Sequence, residues 1–176
     1  MNSFLENKFP QAFEEILSKS KKLWPGEYKT RLTNNRQLLS PSDFGFHNTL
    51  ITNEGLKFID FEYFGWDDPV KLIADFIWHP AMTLSDDHKK RWLENSFKIF
   101  KNTEEIQQRF HAAWPLYGMR WAMILLNEFS HDGWEKKLHV DENVEKFREK
   151  KLSEQIDKAV AKCDLIKSNQ MECPYD

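Results

Sequence analysis

Asp43 and Asn48 stand five residues apart in "SPSDFGFHN", with Gly45 between them, and Asp60 follows twelve residues after Asn48 at the end of the run "LKFI". Carboxylate and amide oxygens are hard ligands, of the kind Mg²⁺ takes when substrate phosphates fill the rest of its shell. The trio can do that chemistry only if the chain folds it together. "TLITNEGLKFID" supplies a means, because two short β-branched and aromatic runs flank Asn53-Glu54-Gly55. That pattern predicts a hairpin with a three-residue loop and Gly in the left-handed position. With Glu54 at the centre, 52 faces 56, 50 faces 58, and Asn48 faces Asp60. Directly opposed residues lie about 4.5–5.5 Å apart at Cα, so both side chains can reach one ion. Asp43, on the irregular loop before the hairpin, is close enough to act on a nucleophile beside that ion. The competing reading gives Asp43 a turn-forming role and makes Asn48 and Asp60 plain strand-end caps.

The elements that must position this trio are mostly helical. Phe13, Ile16, Leu17 and Trp24 keep one face from Pro10 to Trp24, and Pro25-Gly26 stops the helix. Asp67-Asp68-Pro69 opens a second helix carrying Val70, Ile73, Ala74 and Ile77, which ends before Pro80. Further helices are expected over Asp86–Phe100, from Thr103 to about Phe129, and near Asp141–Ile166. The fold class is therefore mainly α with a small β-hairpin (α+β), in one domain over residues 1–176.

"LSPSDFGFHNTLI" together with "LKFIDFEYFGWDDP" resembles the aminoglycoside phosphotransferase and choline kinase superfamily, and "IDFEY" is similar to its choline/ethanolamine kinase members. The resemblance spans about Leu39 to Phe76. It implies a protein-kinase-like C-terminal lobe, with Asp43 as the base for a substrate hydroxyl. Asn48 and Asp60 would be Mg²⁺ ligands bridging the phosphates of ATP or GTP. The implied activity is phosphoryl transfer to a small acceptor such as an aminoglycoside or choline, both cationic. Family resemblance also implies that Asp75 holds the catalytic-loop backbone; surface exposure is the alternative.

Three features depart from the pattern. Pro41 stands where those kinases commonly place a His, so the loop needs other support. Asp60 is followed by Phe61-Glu62, and the short span to Pro69 leaves no room for a long activation segment, which disfavours a protein substrate. Nothing before Leu39 resembles a Gly-rich phosphate loop or the strand Lys with its helix Glu, and those residues read as helical. The chain thus reads as a catalytic lobe whose nucleotide-clamping N-terminal lobe is absent, with no appreciable turnover alone. An uncovered lobe interface would be an apolar patch open to self-association or to docking of the missing half. The alternative is a non-catalytic, kinase-like remnant that binds a ligand or partner.

Other candidates are weaker. Glu62 could be a second ligand or a solvated carboxylate, and His47 a substrate contact or a loop residue bonded to backbone. The Trp114–Tyr117–Trp121 stripe could line a site but has core spacing, and Glu128, Asp132 and Glu135 could attract a polyamine or sit inert at a helix end. The six His and two Cys show no paired zinc spacing. A net charge of −3 gives no electrostatic reason for a nucleic-acid or anionic-membrane partner. With no apolar leader and only Cys163 and Cys173, a reduced, cytoplasmic, soluble protein is expected.

Overall fold

The computed structural model describes residues 4–100, 103–129, 148–169 and 171–176. Its elements are helices α1 (Phe9–Leu23), α2 (Pro69–Trp78), α3 (Asp86–Ile99), α4 (Thr103–Leu126) and α5 (Arg148–Ser168), and four short strands. These are β1 (Leu38–Ser40), β2 (Thr49–Thr52), β3 (Gly55–Phe58) and β4 (Gly65–Asp67), paired antiparallel as β1–β4 and β2–β3. The architecture is mainly helical with a little antiparallel sheet, as expected. Residues 24–37 depart from the helical reading, holding only a 3₁₀ turn at Asn34–Arg36 after Gly26 turns the chain at φ +81°.

Helix α4 is the hub, with α1, α2 and α5 packed around it. Val70, Ile73 and Ala74 of α2 and Phe110 and Met119 of α4 are fully buried. At about 25 cal/mol per Å² of apolar surface, such burial is the main source of stability. Gly118 lets the three helices meet, because a Cβ there would lie 2.7 Å from the Trp78 ring and 2.8 Å from Ile166. The start of α2 is secured twice. Asp68 accepts the Val70 N–H at 2.8 Å as N-cap, and buried Arg109 of α4 pairs with the same carboxylate. The cap fixes where α2 begins and so aims its C-terminal end, Trp78 and His79, at the loop that carries Asp43.

Trp114 lies in the core at 1% exposure and Trp121 at 8%, so the aromatic stripe is mostly packed, with Trp114 also forming part of a cleft wall. Asp132, Glu135 and the predicted helix start near Asp141 lie outside the described residues. Among the described residues, no helix is long and apolar enough to cross a membrane.

Candidate functional site

The loop Ser40–Asn48 is clamped between the two small ladders. Ser40 ends β1 opposite Gly65, and Asn48 leads into β2. Ser42 takes φ +66° there, a conformation costly for a residue with a side chain, and polar contacts hold it. The Ser42 N–H donates to the buried Ser40 hydroxyl at 3.0 Å, and Lys71 of α2 donates to the Ser42 hydroxyl at 2.6 Å while pairing with Asp67. These three residues supply the support that Pro41 cannot. From the apolar side, Phe44 anchors the loop against Phe58 (5.1 Å between ring centroids), Phe76 and Trp92. The loop is a fixed platform on α2 and α3.

Asp43 sits at its exposed edge. Its Oδ1 lies 3.3 Å from His47 Nε2 and 3.4 Å from His79 Nε2, longer than formed hydrogen bonds but of a kind that tightens when a site fills. The three side chains could be taken for a metal centre. Ring geometry argues against it, because the imidazoles stack 4.0 Å apart and 7° from parallel. Each lone pair lies in its own ring plane, so both cannot aim at one ion about 2.0–2.1 Å from each nitrogen. The Ala81 N–H donates to His79 Nδ1 at 3.1 Å, which puts the proton of the neutral ring on Nε2, toward Asp43. Burial, then the neighbouring His47, lowers the His79 pKa to about 4 against the pull of Asp43. His79 is thus a neutral donor facing Asp43. Gly45 makes room for the stack, since a Cβ there would lie 2.6 Å from the His47 ring.

The expected facing of Asn48 and Asp60 is corrected. The register pairs Thr49 with Phe58 and Thr52 with Gly55, so the loop has two residues and Ile59 stands opposite Asn48, its N–H donating to the Asn48 carbonyl at 3.0 Å. Thr52 causes the slip. Its hydroxyl accepts the Glu54 N–H and donates to the Gly55 carbonyl, drawing Gly55 into the ladder. In a regular strand this would send Asp60 to the far face. The ladder ends at Phe58, however, and Asp60 takes φ +63°, so strand alternation no longer sets its direction.

Asn48 Nδ2 donates to the Asp43 carbonyl at 2.9 Å and lies 3.4 Å from Asp43 Oδ2. An amide nitrogen committed to a carbonyl leaves its oxygen as the outward end. Asn48 Oδ1 and the carboxylate of Asp60, the residue after the Ile59 that bonds to Asn48, are both oxygen donors. Donors of that kind fit a hard divalent cation such as Mg²⁺. The Tyr63 hydroxyl pKa is raised first by a hydrogen bond to Glu62 and by that carboxylate's charge, then by desolvation, with Asp60 and Asp43 adding least.

Asp75 does not hold the loop backbone. It is buried, and its carboxylate takes Arg120 at 2.7 and 2.8 Å and the Trp121 indole at 2.8 Å. Burial raises its pKa while Arg120 and Trp121 oppose that shift. Its effect on the loop is indirect, through Trp121, whose ring meets His79 edge-on at 4.5 Å. Ser40, Ser42, Lys71 and His79 were all missed from sequence, and only the His79-Pro80 helix end gave a local signal. Comparison with family models, with curated proteins and with solved structures returns no match.

Proposed function

We propose that this chain is the catalytic lobe of a small-molecule phosphotransferase of the aminoglycoside phosphotransferase and choline kinase kind, moving the γ-phosphate of ATP or GTP to an acceptor hydroxyl. The observation that carries the reading is the Asn48-to-Asp43 hydrogen bond. That contact commits the amide nitrogen to the Asp43 carbonyl and leaves the Asn48 amide oxygen as the outward donor. Asn48 and Asp60 would hold Mg²⁺, which when bound neutralises charge on the phosphate oxygens. With Asp43 Oδ1 facing the two imidazoles, Oδ2 takes the acceptor's hydroxyl proton as the new O–P bond forms and the nucleoside diphosphate leaves. Turnover needs a phosphate-clamping half beyond the residues described. With ATP as co-substrate and unpaired thiols at Cys163 and Cys173, we place the protein in the cytoplasm.

A second reading, a partner-binding remnant without catalysis, draws on the exposed apolar side chains of the hairpin and the turn after it, where Ile51 is 89% and Tyr63 68% exposed. Calorimetric titration with Mg·ATP and Mg·GTP separates the two. The catalytic reading expects weak nucleotide binding that requires Mg²⁺ and is lost in Asp60→Asn. Binding indifferent to both, or no binding at all, favours the remnant.

A further inference from the structure

Behind His79 lies a second feature, outside the Asp43 site. An open cleft of about 400 Å³ runs between the end of α2, the start of α3 and α5, with Trp78, His79, Lys89, Trp114, Lys162 and Tyr175 among its lining residues. The volume is in the range of small-molecule sites. Its charge is unbalanced. Lys162 Nζ donates to the Trp78 carbonyl at 2.6 Å and lies 5.2 Å from the Trp78 ring centroid, and no carboxylate among the described residues pairs with it. The carbonyl uses one of the three ammonium donors and brings only the partial charge of a helix end. Lys89 is the second cation, held by the Tyr175 hydroxyl at 2.9 Å and by exposed Asp86 at 3.2 Å. His79, neutral, cancels nothing. A partly buried ammonium without a counter-charge is costly. Burial first, then the charge of Lys89, lowers the Lys162 pKa to about 8.

We propose that this cleft binds the anionic group, carboxylate or phosphate, of a small molecule, with Lys162 and Lys89 as its two donors. The anion replaces the counter-charge the fold omits. Because His79 belongs to both the cleft wall and the Asp43 cluster, we orient the seated molecule with its other end toward Asp43. That orientation rests on the phosphoryl-transfer reading; the anion site does not. It departs from the cationic acceptors the family resemblance implies.

The test is titration of the chain with inorganic phosphate, acetate or chloride at matched ionic strength, followed by NMR of the Trp78 indole and the Lys162 side chain. A saturable response to phosphate or acetate, but not to chloride, is expected, and the stronger arm names the group. Lys162→Met should raise the Kd at least tenfold, whereas Lys151→Met, exposed on the same helix, should leave it unchanged. Should Lys162→Met not fold, Lys89→Gln serves the same purpose, and in the wild-type chain saturation must raise the Lys162 pKa above about 8. No saturable response to either anion, an equal response to chloride, or an unchanged Kd in the lysine variants overturns the proposal. The outcome is independent of the nucleotide titration, so either reading can fail alone.

Discussion

Ile73 and Ile51 are the same side chain with opposite fates: Ile73 is at 0% exposure in α2, and Ile51 is at 89% in β2. The contrast holds across the molecule. The large apolar side chains of α2 and α4 are mostly buried against one another. In the segment 46–66, Phe46, Leu50, Leu56, Phe61, Phe64 and Trp66 all lie at least 49% exposed. An isolated two-stranded hairpin is marginal in water, and here the Phe44–Phe58 contact ties it to the loop. Stability therefore resides in the helices, while the face bearing Asp43, Asn48 and Asp60 is carried by them and contributes little to holding them. So many exposed large apolar side chains in one short segment suit an interaction surface. On our reading its partner is the phosphate-clamping half, with a second copy of the chain as the competing occupant.

Five substitutions break or sharpen this division, beginning with the largest effect. On the proposed phosphotransferase reading, and in an assembly that turns over, Asp43→Asn should lower kcat by about 10²–10⁴-fold, the usual worth of a positioned base, with the thermal midpoint unchanged. Asp60→Asn should also lower kcat but regain part of it at raised Mg²⁺, because its defect is in holding the metal; Asp43→Asn should not. Equal behaviour of the two variants in a Mg²⁺ series would remove the separation of roles.

The core behaves in the opposite sense. Ile73→Ala should cost about 2–5 kcal/mol in urea unfolding, transfer and cavity together. A cost under about 0.5 kcal/mol would show that the helices are not where stability lies. Between core and face stands His79. Its pKa is lowered in the folded chain, so the stability it contributes is complete above its ordinary value near 6.5 and is lost as pH falls toward about 4. Allowing for residual solvent, the loss is on the order of 2 kcal/mol. The slope of unfolding free energy against pH in that window should flatten in His79→Gln. The smallest effect belongs to the hairpin, where Ile51→Ser should move stability by no more than about 0.5 kcal/mol yet weaken association with whatever covers that face, as measured by sedimentation.

What could be read from the sequence followed locality. The Asp68-Pro69 cap, the Pro25-Gly26 stop and the helix over 86–99 are signals carried by neighbouring residues, and each appears where expected. The hairpin was legible and its register was not. Asn53-Glu54-Gly55 can close a loop of two residues or three, and the Thr52 hydroxyl decides between them through bonds that the residue pattern does not encode. Three-residue strands 25 residues apart, β1 and β4, leave no periodic trace. The support of the site was illegible for the same reason: Lys71 reaches Ser42 across 29 residues, and His79 reaches Asp43 only because α2 ends there. Asp75 was legible as a mid-helix acid needing partners, but those partners come from α4, 45 residues on.

The central claim is that Asn48 and Asp60 form one cation site although they are not directly paired. Mn²⁺ shares the hard, octahedral oxygen preference of Mg²⁺ and broadens NMR signals near it, so titrating the isotope-labelled chain with Mn²⁺ tests this without any turnover. Broadening centred on residues 48 and 59–60, lost in Asp60→Asn and kept in Asp43→Asn, is the expected result. Broadening centred on the His47–His79 stack or on the exposed Asp86-Asp87 pair, or a pattern that Asp60→Asn leaves unchanged, would contradict the claim.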